Sequence, residues 1–205
     1  MADPIADKYW TVAAPCEGLF KAKGSKHFGY VFPVEGLGDV EGHLADLRKT
    51  HHAARHHCYA YRLGVDGADF RANDDGEPNN SAGPPILGAL RSRELTQVLA
   101  VVVRYFGGTK LGVGGLIEAY REATLAALEH GEIVERFVHQ TFRIEFPYAR
   151  MGDVMGHLKK WELSPGETDF DLACSLTASI RLRDAENFRS ALENEEIQFT
   201  ALRTK

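Results

Sequence analysis

Apolar side chains occupy every second position at Phe28, Tyr30, Phe32 and Val34. That is the period of a strand with one buried face. Gly36–Thr50 changes to helical spacing, with Leu44 and Leu47 on the inward side. His56–Leu63 alternates again: Tyr59, Tyr61 and Leu63 share a face with His57, while His56, Cys58 and Arg62 share the other. Val98–Val103 is unbroken apolar sequence, four of its residues β-branched, and predicts a central strand covered on both faces. Between these strands Asn73–Asn80 is dense in turn formers. Ser81 predicts a helix N-cap, with Pro84 and Pro85 in the first turn and Ile86–Arg93 continuing the helix. Phe106–Gly115 reads as a glycine loop. Leu116, Tyr120, Ala123 and Ala127 then step along one face of a helix, with Ile117, Thr124 and Leu128 beside them.

The pattern restarts after Glu135. Phe142, Ile144 and Phe146 alternate, and Met151, Val154, Met155 and Leu158 form a helical stripe. Trp161–Thr168 predicts a weak strand, and Leu172 to Leu182 alternate as a strong one. Ala185, Phe188 and Leu192 mark a second helix before a last strand over Ile197–Leu202. The order βαββαβ is the ferredoxin-like plan. The expected class is therefore α+β in two domains, 1–137 and 138–205, the second folding as its own small unit.

Composition places the chain among soluble globular proteins, with 44% hydrophobic and 26% charged residues. The longest strongly apolar run, Val98–Val103, is far too short to span a bilayer, so no membrane association is expected. The first ten residues lack the basic start and apolar run of a signal peptide. Three widely spaced cysteines, Cys16, Cys58 and Cys174, fit a reducing cytoplasm better than a disulfide framework. Net charge is −5, and both halves are acidic. This argues against strong nonspecific nucleic-acid binding. It leaves room for a local basic face at Lys21, Lys23 and Lys26, or at Lys159 and Lys160.

The candidate chemistry lies in three places. A glycine loop between a buried strand and a helix can bring backbone N–H groups to an anion. Gly107, Gly108, Gly112, Gly114 and Gly115 would allow that approach, with Arg104, Tyr105 and Lys110 beside them. The loop is neither a P-loop nor a dinucleotide fingerprint, so a tight packing turn is the competing reading. Asp74, Asp75 and Glu77 put three carboxylates in one turn. They can meet a hard cation or a partner's basic group, or simply form a solvated turn before a helix. General acid–base work would require desolvation that the surrounding Gly, Pro and Asn do not promise. His56 and Cys58 share a strand face and His57 takes the other, which fits structural or partner contacts better than a metal site. No catalytic residue, cofactor or metal is assigned. The carboxylate turn, the His56–Cys58 strand and the glycine loop are expected to meet on one face. If the loop is structural, Gly108→Val or Gly114→Val should harm stability more than Asp75→Asn.

The blocks HHCYAYRLG, DDGEPNNSAGPPIL and VVVRYFGGTKLGVGGLIEAY, after an opening SKHFGYVFPV, resemble the signature of the IMPACT family over residues 20–130. The resemblance implies an N-terminal domain like domain 2 of ribosomal protein S5, and a C-terminal domain like a late domain of elongation factor G. Its pattern falls on His56, His57, Cys58, Asp74, Asp75, Glu77, Arg104, Tyr105, Gly107, Gly108, Gly112, Gly114, Gly115 and Tyr120. This chain differs in carrying Asn79-Asn80-Ser81, and in carrying Glu118 where many members are basic. Eukaryotic IMPACT acts in translational control under amino-acid starvation. The implied role is a cytoplasmic binding module in translation or stress response, contacting RNA, the ribosome or a translation-related protein, with an anionic ligand at the glycine loop. The alternative is an enzyme on a small phosphorylated or nucleotide substrate.

Overall fold

The structure, a computed structural model, describes residues 7–170 and 174–204. It is α+β and divides into two compact units, Tyr9–Arg136 and Phe137–Lys205 with Met1–Lys8. Asp7 and Lys8 group with the second unit, although the sequence pattern placed them in the first. The reason is local. Asp7 accepts from Nε and Nη2 of Arg181, and its carbonyl accepts from the Val138 N–H at 2.7 Å.

β1 (Lys8–Val12), which lies in the first unit from Tyr9 on, leads into the hairpin β2 (Cys16–Ala22) and β3 (Ser25–Pro33). There follow α1 (Leu37–Thr50), β4 (His56–Leu63), β5 (Asp69–Asn73), α2 (Gly83–Ser92), β6 (Val98–Tyr105), α3 (Gly112–Glu129) and β7 (Ile133–Phe137). Five strands form an antiparallel sheet in the order β2-β3-β6-β4-β5. The apolar run Val98–Val103 lies in its central strand and is fully buried, as its composition required. Val98, Ala100 and Val102 face α2 and α3, while Leu99, Val101 and Val103 face α1. β4 is likewise buried on both sides: Cys58 and Ala60 join one core, and Tyr59, Tyr61 and Leu63 the other.

β3 alternates as its sequence indicated, but the aromatic face is the less buried one. Ser25, His27, Gly29 and Val31 are the enclosed residues, while Phe28, Tyr30 and Phe32 are partly exposed. The cause is the close seating of α3. A Cβ on Gly29 would lie 2.1 Å from the Ala123 carbonyl oxygen, and one on Gly18 would lie 2.4 Å from Ala126 backbone. Helix backbone occupies the space that side chains fill elsewhere.

The second unit runs β8 (His139–Phe146), α4 (Met151–Lys160), β9 (Thr168–Phe170), β10 (Cys174–Arg181), α5 (Ala185–Asn194) and β11 (Gln198–Thr204). Its sheet order β11-β8-β10-β9 is the ferredoxin-like arrangement. Phe142, Ile144, Phe146, Val154, Leu158, Leu176, Phe188 and Leu192 form its core. The expected strand Trp161–Thr168 shrinks to β9. Trp161 ends α4 and turns its ring edge-on to Phe188, with centroids 5.6 Å apart. Met155 is 39% exposed, outside the stripe to which its spacing assigned it. Leu172 lies outside the described residues.

Candidate functional site

The site is assembled at one end of the five-stranded sheet. Strand register sets His27, Arg104 and His56 side by side across β3, β6 and β4. All three face the helix layer, where Tyr120 of α3 meets the ring of His27 edge-on at 5.3 Å. The turn after β5 brings Glu77 over this row. Its Oε1 accepts from Arg104 Nη1 at 2.6 Å and from the Tyr120 hydroxyl at 2.8 Å. The Arg104 and Glu77 side chains are only 8% and 4% exposed, so this is a buried, charge-assisted pair. Arg104 Nε is buried with no partner among the described residues, as are both ring nitrogens of His27. Burial and the Arg104 charge push His27 down to about 4, which keeps the ring neutral.

The carboxylate turn is not solvated, as one reading of the sequence had it. Asp74 Oδ1 accepts from the N–H groups of Ala82 and Gly83 at 2.9 and 2.8 Å, and its Oδ2 from that of Asn80 at 2.8 Å. Asp74 therefore caps α2 from eight residues away. Ser81, the expected cap, instead donates its hydroxyl to the Pro78 carbonyl at 2.6 Å. Asp75 Oδ2 accepts from the His57 N–H at 2.7 Å, taking the place of a ladder partner where β5 no longer pairs with β4. Each carboxylate already holds backbone donors or the Arg104–Tyr120 pair. Among the described residues no group of three or more His, Cys, Asp or Glu is placed to hold a metal ion.

His56 and His57 point to opposite faces. His56 Nδ1 meets the Asp75 carbonyl at 2.8 Å. A carbonyl only accepts, so this nitrogen carries the proton and Nε2 is left facing Glu77 at 3.9 Å. The Cys58 thiol donates to the Asp74 carbonyl at 2.9 Å, and burial pushes its pKa up. Its hydrogen goes to a backbone carbonyl, as does that of His56, so the two do not make a nucleophilic pair.

The glycine segment splits in two. Gly107 and Gly108 belong to the loop, whereas Gly112, Gly114 and Gly115 lie in the first turn of α3. Gly107 is required by close approach: a Cβ there would lie 1.9 Å from the Gly24 backbone, and its N–H donates to Ser25 Oγ at 3.1 Å. Gly108 has a φ of 91°, in the region that favours glycine. A Cβ on Gly114 would meet nothing within 4 Å, which contradicts the expectation that this position is sterically demanding. No side chain caps α3, so its first backbone N–H groups open outward.

These parts enclose a cavity of about 850 Å³. Its walls include Arg55, His56, Glu77, Arg104, Tyr105, Phe106, Lys110 and the α3 start at Gly112 and Val113. Of the residues singled out in the sequence, His56, Glu77, Arg104, Tyr105, Lys110 and Gly112 line it. Asp74, Asp75 and Cys58 support it from behind, while His57 lies on the other side of the sheet. Glu118 is not in the wall. Arg55 and His27 were missed. Arg55 lies in a polar connection with no periodic signal, and His27 was hidden by the attention its aromatic neighbours drew.

An antiparallel sheet whose end carries a buried ion pair beneath a cavity with basic walls defines the first unit, and a ferredoxin-like unit follows it in the chain. The family model for the Impact N-terminal domain matches residues 23–128. The IMPACT family member YvyE of Bacillus subtilis is 35% identical over 152 residues, which is 74% of this chain and 70% of that one. An IMPACT family member of Haemophilus influenzae is 34% identical over 172 residues, covering 83% and 84% of the two chains. A crystal structure described as that of "an hypothetical protein" superposes with a TM-score of 0.71 at 25% identity, covering 96% of this chain and 98% of that one. The chain belongs to the IMPACT family. Among the described residues no helix is long and apolar enough to cross a membrane.

Proposed function

We propose that this protein is a cytoplasmic binding module of translation or its regulation under stress, and that the cavity grips an anionic group of its RNA, ribosomal or protein partner. The observation that carries this reading is the charge of the walls. Arg55 and Lys110 are exposed cations, and the uncapped start of α3 adds the positive end of a helix dipole. Arg104 below them is held in place by Glu77. Such a wall suits phosphate or carboxylate groups, and it stands out in a chain of net charge −5. The enzymatic alternative has less support. Cys58 is a buried thiol, and Glu77 is occupied by Arg104 and Tyr120.

Sedimentation with purified ribosomes through a sucrose cushion tests the proposal. The wild-type chain should pellet with ribosomes at low salt, and the double variant Arg55→Glu, Lys110→Glu should stay in the supernatant. Both positions are exposed, so the fold should survive the exchange. Equal pelleting of the two proteins, or of neither, rejects the cavity as the binding site.

A further inference from the structure

A second, smaller cavity of about 330 Å³ lies on the opposite side of the same sheet end, between Gly24, Lys26, Phe28 and His51. Tyr105 and Phe106 line both cavities, so the end of β6 is a common wall. These two rings are prepared differently. The Tyr105 hydroxyl is held by His51 Nδ1 at 2.9 Å, and Phe28 meets its ring edge-on at 5.9 Å. Phe106 is 58% exposed, with the Arg104 guanidinium carbon 5.6 Å from its ring centroid. A large aromatic ring standing in solvent between two basic hollows is poorly explained by packing alone.

The charges around it extend beyond one ligand. Lys21 and Lys26 are direct partners across β2 and β3, and Lys23 occupies the hairpin turn between them. Like charges directly opposite on paired strands are destabilising. Among the described residues none of Lys21, Lys23, Lys26, Arg55 and Lys110 stands in an ion pair. A mononucleotide would use the large cavity and one ring. Lys26 lines the small cavity and Lys21 is its cross-strand partner, and the two suit further phosphates of a strand.

We propose that the two cavities and the hairpin form one groove for single-stranded RNA. A base stacks on Phe106 beside Tyr105. The phosphates on either side lie against Lys110 and Arg55 in one direction and against Lys26 and Lys21 in the other. Stacking on an exposed aromatic ring needs an unpaired base, which excludes a duplex. The choice of RNA over DNA rests on the function proposed above, whereas the groove itself rests on the rings and lysines.

Fluorescence anisotropy with a labelled twelve-nucleotide RNA tests it in the full chain. Binding should be shallow in salt, with a log–log slope of about −2 to −3, corresponding to three or four phosphate contacts on a single strand. Phe106→Leu should weaken it by roughly 5- to 100-fold, as losing one stacked base does, and Phe106→Trp should retain it. Lys26→Gln should reduce the slope by about 0.7. Equal affinity for duplex RNA, or unchanged affinity in Phe106→Leu, overturns the groove. So does full competition by AMP at the same molar concentration as the strand. Equal binding of the DNA of the same sequence overturns the assignment to RNA. Ribosome pelleting that persists while the RNA fails to bind rejects this inference alone; loss of pelleting in the Arg55, Lys110 variant with no effect of Phe106→Leu separates the two in the same way.

Discussion

Glu77→Ala is the most informative single change. It deletes the acceptor that holds Arg104 at 2.6 Å and the Tyr120 hydroxyl at 2.8 Å. Arg104 remains buried and charged with Nε already unpartnered among the described residues. Breaking a buried ion pair by removing one member costs about 3–5 kcal/mol. A buried hydroxyl left without an acceptor adds about 1–2 kcal/mol. The expected loss is therefore about 4–7 kcal/mol, a large share of a domain's stability. Urea unfolding followed by far-UV circular dichroism at pH 7 reads it as a lowered midpoint. Tyr120→Phe, which removes only the hydroxyl, should lose about 1–2 kcal/mol. Glu77→Leu combined with Arg104→Met removes both charges and should recover much of the loss. If Glu77→Ala stays within 1 kcal/mol of wild type, or Tyr120→Phe costs as much as Glu77→Ala, the account of a buried charge pair holding this end of the sheet is wrong.

Three further outcomes follow from the same geometry. Asp74→Ala should cost about 1–2 kcal/mol in urea melts, because the start of α2 loses its cap; no effect would mean that solvent replaces the carboxylate without penalty. Gly107→Ala should destabilise strongly where its Cβ meets Gly24, whereas Gly114→Ala should be neutral or stabilising by up to about 1 kcal/mol, and the reverse order in thermal melts contradicts the loop geometry. His27 titrates near 6.5 when unfolded and at about 4 when folded. The unfolded chain thus binds the extra proton first: stability is full above pH 6.5 and falls as pH drops toward 4, by at most about 3 kcal/mol. His27→Leu should flatten that part of the urea-midpoint profile, and an unaltered slope would assign it to other groups.

The elements were legible where one period dominated. The apolar run of β6 and the stripe of α3 follow from their side chains alone, and so does the βαββαβ succession of elements in the second unit. The Phe106–Gly115 segment was harder, because glycine at a helix start and glycine in a loop have the same composition. Only the backbone separates Gly108, at positive φ, from Gly114 inside α3. Burial on β3 was misread for a related reason. Hydrophobicity marks Phe28, Tyr30 and Phe32 as inward, but the more enclosed face is that of Ser25, His27, Gly29 and Val31, where α3 passes directly over Gly29. The site was partly visible, since Glu77, Arg104 and His56 carry chemistry in their identity. That Asp74 and Asp75 serve backbone N–H groups was not, because those donors lie several residues away in sequence and meet them only once the turn has folded.

The contact of α3 with Gly18 and Gly29 also bears on how a ligand arrives. Side-chain layers yield by changing rotamers; backbone lying on backbone has no such slack. The first turn of α3 therefore has little room to slide when something enters the cavity at its tip. Binding there would resemble a key meeting a finished lock, with association limited by encounter and little ordering to be done afterwards. Two glycines some distance from any ligand would in this way govern the speed of recognition as well as the place of the helix.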